Sequence, residues 1–146
     1  MIEVEVNNAS AHAIDEARLS EFVRAVLDGE GIRTAQVSVA VVDDKTIHRL
    51  NREYLDHDYA TDVLSFSFER DQDQLNGELV ISADTAARVA PEFGWSASDE
   101  LLLYAAHGAL HLVGYDDQDE CDRDEMRSKE RDYLGTVGLQ PRYDQR

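Results

Sequence analysis

Residues 107 to 117 read HGALHLVGYDD, and four of them, His107, His111, Asp116 and Asp117, carry side chains of the kinds that ligate metal ions. A helix turns ~100° per residue, so His107 and His111 share one face about 40° apart, with Cβ atoms ~5–6 Å apart. One ion can bridge that gap, since zinc binds imidazole nitrogen at ~2.0–2.1 Å. Catalytic zinc sites take three protein ligands and keep a further position open for water or substrate. Gly114 makes a third ligand possible. Glycine adopts positive φ freely and turns the chain sharply out of a helix, which swings residue 117 back toward the histidines. The expectation is one zinc ion per chain, held by His107, His111 and Asp117. The plainer alternative is a pair of hydrogen-bonded core histidines on an apolar helix.

The offsets H-x-x-x-H-x-x-G-x-x-ligand are those that metzincin proteases use. Zincins of the H-E-x-x-H type take the glutamate as general base. Here that position is Gly108, so a protease would lack its base.

The elements that must position these residues are legible in the hydrophobic pattern. IEVEV alternates apolar and acidic residues, as a strand with one buried face does. Ile14, Ala17, Phe22, Val23, Val26 and Leu27 form a stripe that predicts a helix over 13–28, with Gly29 and Gly31 available to stop it. AQVSVAVV reads as a second strand, and DDKTIHRLNREYL as an amphipathic helix begun by cap-type aspartates. VLSFSF and ELVIS are two more strands, separated by the polar loop 69–77. ADTAARVA is a short helix that stops near Pro91. Ser96 or Ser98 caps the most apolar helix, DELLLYAAHGALHLV, which carries both histidines. Leu110 and Leu112 fix that helix in the core, and Gly114 ends it. Residues 118–138 are a charged helix with Met126, Tyr133 and Leu134 for contacts. The sum is one α+β domain over residues 1–146. It has a small mixed sheet of about four strands covered by about five helices, with the metal site at the end of a buried helix.

A chain of 146 residues buries enough surface to fold without metal staples, so an ion would serve chemistry first. The single Cys121 suits a reducing compartment. No basic, apolar leader opens the sequence, and no apolar run approaches the ~20 residues of a membrane span. A cytoplasmic protein without a membrane partner is expected. The net charge of −17 repels nucleic acid at long range, although screening confines that effect to ~8 Å at physiological salt. Most of the carboxylates are expected to be solvated surface.

The chain resembles the YbeY family of bacterial metal-dependent endoribonucleases. HGALHLVGYD, residues 107–116, matches the family motif H-G-x-L-H-L-x-G-Y-D-H at every fixed position up to its last histidine. TDVLSFS, residues 61–67, matches T-[DN]-V-L-S-F-P until Ser67 replaces the proline. NREY at 51–54 and GELVIS at 77–82 also resemble family segments, in the same order, so the resemblance covers residues 35–135. It implies cleavage of single-stranded RNA in ribosomal RNA maturation and ribosome quality control, with RNA and the ribosome as partners. It carries His107 and His111 over as metal ligands. Where the family has its third histidine this chain has Asp117, and where it has an arginine after the N-x-x-Y segment this chain has Leu55.

For such a reaction the ion would polarise the phosphate and acidify a water. A general base is not assigned. Asp116 and Glu78 are the acids available, Asp116 reading first as a turn-former or a partner of a histidine N–H and Glu78 first as a structural acid. Arg49 and Arg52, on the helix before TDVLSF, are the candidates for RNA contact. The rival reading is a ribosome-assembly partner that binds metal and basic ribosomal proteins with little cleavage.

Overall fold

The computed structural model describes residues 1–143. The order is β1 (Ile2–Asn8), α1 (Glu16–Gly29), β2 (Thr34–Val42), α2 (Asp44–Leu55), β3 (Val63–Arg70), β4 (Gln74–Ser82), α3 (Ala83–Val89), a 3₁₀ turn (Ala90–Phe93), α4 (Ala97–Leu112) and α5 (Glu120–Gly135). The strands form one mixed sheet in the order β1-β2-β4-β3. β1 and β4 both pair parallel to β2, and β3 pairs antiparallel to β4. This is the expected α+β architecture.

Strand alternation decides which face each helix covers. Val37, Val39, Val41, Leu75, Leu79 and Ile81 join the main core with α1 and α4, whereas Leu64 and Val80 pack with Ile47 of α2 in a second cluster. So α4 and α2 lie on opposite faces of the sheet. α5 packs on α4 from outside. Asp15, Asp43 and Asp119 each cap a helix through the side chain. Ser96, not Ser98, caps α4, in a reciprocal capping box with Asp99. α4 buries eleven of its residues, as its apolar sequence requires.

Two expectations need correction. α1 begins at Glu16, not residue 13, because Asp15 takes the cap position; Ala17 is then exposed and Leu19 is buried in its place. The supposed loop over 69–77 is mostly strand. β3 runs on to Arg70 and β4 starts at Gln74, with Arg70 paired to Leu75 and a bulge between Ser67 and Glu69. Backbone pairing with a neighbour holds polar residues in a strand where their own alternation gives no sign of one. Leu75, fully buried, anchors the turn end.

Gly108 is where α4 meets the sheet. A Cβ there would stand 2.8 Å from Leu79 Cδ2, 3.0 Å from Val63 Cγ2 and 3.1 Å from Ser65 Oγ. The Ser65 hydroxyl donates to the Gly108 carbonyl at 3.1 Å. The position that holds a glutamate in zincins therefore faces packed strand residues. Gly108→Ala is expected to lower the midpoint of denaturant unfolding. Overpacking costs ~1–3 kcal/mol, which outweighs the gain in helix propensity of at most ~1 kcal/mol. Equilibrium urea unfolding checks this, and an unchanged or raised midpoint would show slack between α4 and the sheet.

Candidate metal centre

The histidine pair sits in the last turns of α4, half-buried, with side-chain exposures of 29% for His107 and 28% for His111. The helix ends as Gly114 takes φ of 113°. Its N–H bonds to the His111 carbonyl, and the Tyr115 N–H reaches back to Leu110 at 3.0 Å. The reversal returns Asp117 to the histidines. His107 Nε2 and His111 Nε2 lie 3.1 Å apart, and Asp117 Oδ2 lies 3.4 Å from the first and 3.5 Å from the second. Ligands at ~2.0–2.1 Å in a tetrahedral shell are separated by ~3.3 Å, so the three atoms already have the spacing that one ion needs.

The other ring nitrogens explain why a cation suits this gap. His107 Nδ1 faces Glu130 Oε2 at 2.8 Å, and His111 Nδ1 faces the Tyr115 carbonyl at 3.0 Å. A carboxylate and a carbonyl only accept, so in each neutral imidazole the proton is on Nδ1 and the lone pair on Nε2. Two lone pairs and a carboxylate oxygen then converge, which is unfavourable without a positive charge among them. These residues could hold a metal ion; without one, a proton is the available substitute. Burial alone would pull the His107 pKa down, but the hydrogen bond and charge of Glu130, with the charges of Asp62 and Asp117, outweigh it and hold it above the ordinary value.

The supports were not all foreseen. Glu130 is 3% exposed; its second oxygen accepts from the Tyr143 hydroxyl. Its signal was present in the sequence, since Glu130 stands midway between Met126 and Leu134 at four-residue spacing, on the buried stripe of α5. Tyr115 is also tied down. Its hydroxyl donates to Glu30 Oε1 at 2.7 Å, Tyr133 donates to the other oxygen, and Lys129 Nζ lies 3.5 Å from it. That clamp joins the end of α1 to the loop after α4 and to α5.

The other candidates fall outside the cluster. Asp116 is exposed and accepts from the Asp117 N–H at 2.8 Å, as a turn-former does. Glu78 pairs with Phe66 and shares the sheet face of Leu64 and Val80, the one α2 covers. It is on the wrong side of the sheet to serve as a base at the histidines. Arg49 and Arg52 are exposed on α2, Arg52 beside Asp58 at 3.9 Å. Neither lines the cavity of about 190 Å³ next to His107.

The family model of endoribonuclease YbeY matches residues 4–138. The endoribonuclease YbeY of Salinibacter ruber is 41% identical over 132 residues, spanning 85% of this chain and 84% of that protein. The one from Pelotomaculum thermopropionicum is 43% identical over 138 residues, spanning 87% and 91%. The solution structure of TM1509 from Thermotoga maritima superposes with a TM-score of 0.62 at 26% identity, covering 94% of this chain and 89% of that one.

Two outcomes follow from the geometry. Glu130→Gln keeps the shape but removes the charge that orients and polarises His107, and is expected to weaken metal binding ~10–100-fold; competition with a chelating dye measures it. Acidification acts oppositely on the two forms. Metal affinity falls as a proton competes for Nε2, beginning above the ordinary histidine value of ~6.5. The metal-free protein instead gains stability, because the folded state holds the proton more tightly than the unfolded chain. That gain is full below ~6.5 and is lost as pH rises through the raised His107 value. Thermal unfolding with and without metal, from pH ~6.5 upward through the raised His107 range, should show slopes of opposite sign.

Proposed function

This chain belongs to the endoribonuclease YbeY family, and we propose that it hydrolyses single-stranded RNA in ribosomal RNA maturation and quality control, using one zinc ion held by His107, His111 and Asp117. The observation that carries the reading is the convergence of two Nε2 lone pairs and the Asp117 carboxylate at mutual distances of 3.1, 3.4 and 3.5 Å. Borderline-soft zinc suits a donor set of two imidazoles and one carboxylate. Residues 1–146 act as one domain in this reading, with ribosomal RNA as substrate, the ribosome as the place of work and the cytoplasm as the compartment. Among the described residues no helix is long and apolar enough to cross a membrane.

When bound, the ion supplies a Lewis acid for the phosphate oxygens and lowers the pKa of water at its open position. The chain's own residues prepare that position. Glu130 fixes the His107 ring and increases its basicity, and the Tyr115 carbonyl fixes the His111 ring. Asp117 closes the donor set and brings a negative charge that a third neutral histidine would not. The cavity beside His107, walled by α5 and by Asp62 just before β3, is the approach for the RNA strand.

Asp117→Ala should remove most of the metal affinity and all RNA cleavage, whereas Asp117→His should keep both. The histidine site is one unit more positive, so cleavage is expected to persist or rise. Zinc titration and cleavage of a single-stranded RNA, each with and without chelator, test the reading. Cleavage that survives complete chelation, or zinc affinity unchanged in Asp117→Ala, would remove it. An assembly partner without nuclease activity would instead keep its docking under chelation.

A further inference from the structure

A nuclease must hold a phosphodiester beside its metal centre, yet a chain of net charge −17 repels one over most of its surface. The cavity next to His107 brings two cations to the metal centre. Its walls include Asp62, Asp117 and Glu130 together with Arg123 and Arg127 of α5. Two of those carboxylates face the histidines, where a bound divalent ion would offset their charge. Glu130 accepts from His107 and Tyr143. Asp117 faces the histidine pair. Asp62 accepts from the Val63 N–H at 2.8 Å and the Thr61 hydroxyl at 3.3 Å.

The two arginines are not neutralised. Among the described residues the arginine ion pairs are Arg18–Asp99, Arg33–Asp73, Arg52–Asp58 and Arg88–Asp44, and neither Arg123 nor Arg127 takes part in one. Arg123 donates through Nη1 alone, to the carbonyls of Asp117 at 3.4 Å and Gln118 at 3.1 Å. These bonds place the guanidinium without cancelling its charge. Arg127 lies 5.1 Å over the Tyr143 ring, a contact that likewise holds the group and leaves its N–H donors for another partner. At four-residue spacing both project from one face of α5. In a chain with 31 acidic and 14 basic residues, two cations without carboxylate partners in one cavity mark a place for an anion.

We propose that Arg123 and Arg127 bind a backbone phosphate of single-stranded RNA as the strand passes the metal centre. This rests on the nuclease reading above and adds to it the residues that hold the strand. Guanidinium matches phosphate oxygens with paired N–H donors. At about 190 Å³ the cavity is smaller than the ~300–1,000 Å³ of pockets that enclose a drug-sized ligand. It receives one unit of a strand that continues outside it.

The test uses the zinc-loaded protein and a fluorescent 2′-O-methyl single-stranded RNA, confirmed intact on a gel, with affinity read by anisotropy over a salt series. Arg127→Gln and Arg123→Gln should each weaken binding about tenfold, and each lost phosphate contact should flatten the salt dependence by ~0.7 in log–log slope. Arg24→Gln removes the same charge from α1 and should stay within about twofold of wild type. Zinc titration of every variant accompanies this, because Arg123 also holds the loop that carries Asp117. If Arg123→Gln loses zinc, Arg127→Gln alone decides. Wild-type affinity and slope in Arg127→Gln and in the double variant, with wild type still binding and cleaving RNA, would overturn this proposal and leave the nuclease reading intact. A zinc-loaded wild type that neither binds nor cleaves RNA would overturn both.

Discussion

The structure around α4 depends on one constraint: both histidine Nδ1 atoms are held by groups that can only accept. Glu130 takes one and the Tyr115 carbonyl the other. That fixes the tautomers and aims both Nε2 lone pairs at one point, and much of the surrounding architecture serves to keep those acceptors in place. The Tyr115 carbonyl is there because Gly114 reverses the chain within one residue. Glu130 is there because α5 lays a mostly apolar stripe on α4, with Met126 and Leu134 buried on either side of the carboxylate. Glu30 completes the frame by binding Tyr115 and Tyr133 together.

Burying a carboxylate as deeply as Glu130 is costly unless its oxygens are bonded. Here each oxygen has a donor, His107 and Tyr143. The Glu30 carboxyl is also nearly enclosed. Burial would raise its pKa, but hydrogen bonds from Tyr133 and Tyr115 and the charge of Lys129 outweigh that and hold it below the usual range. Glu30 therefore stabilises the fold above the unfolded carboxylate range, and that contribution is lost on acidification. The same clamp fixes the loop that delivers Asp117, so the metal centre and the docking of α5 are mechanically one unit.

The parts of the site that were legible in the sequence are those set by local geometry. Four-residue spacing on a helix puts His107 and His111 together, and a glycine three residues later is a strong signal of a helix end. Asp117 follows from the same short segment. What escaped was set by contacts distant in sequence. Glu130 comes from another helix, 23 residues beyond His107, and a charged residue in a charged helix gives little sign of burial unless the apolar stripe is traced through it. Glu78 reads in the sequence as an acid at the start of a strand, and sheet alternation turns it away from α4. The polar hairpin read as a loop for a related reason, since partner strands, not its own residues, supply the hydrogen bonds that order it.

Net charge is a poor guide to what this surface can hold. At ~8 Å screening length an acidic patch on one side of a small domain has little effect on a cleft on the other. What matters is how local charges are committed. Asp44, for example, is engaged by Ser82, Thr85 and Arg88, which hold its pKa down despite burial. It presents little unbalanced charge to solvent. At the metal centre Glu130 is tied to imidazole and phenol and Asp62 to a backbone N–H, while Asp117 faces the two histidine lone pairs. Among the described residues the arginines beside them are bonded to carbonyls and a ring and form no ion pair. A strongly acidic chain can therefore set cations without carboxylate partners beside the point where chemistry occurs, and a divalent ion held by the carboxylates there would tip the local balance toward positive charge.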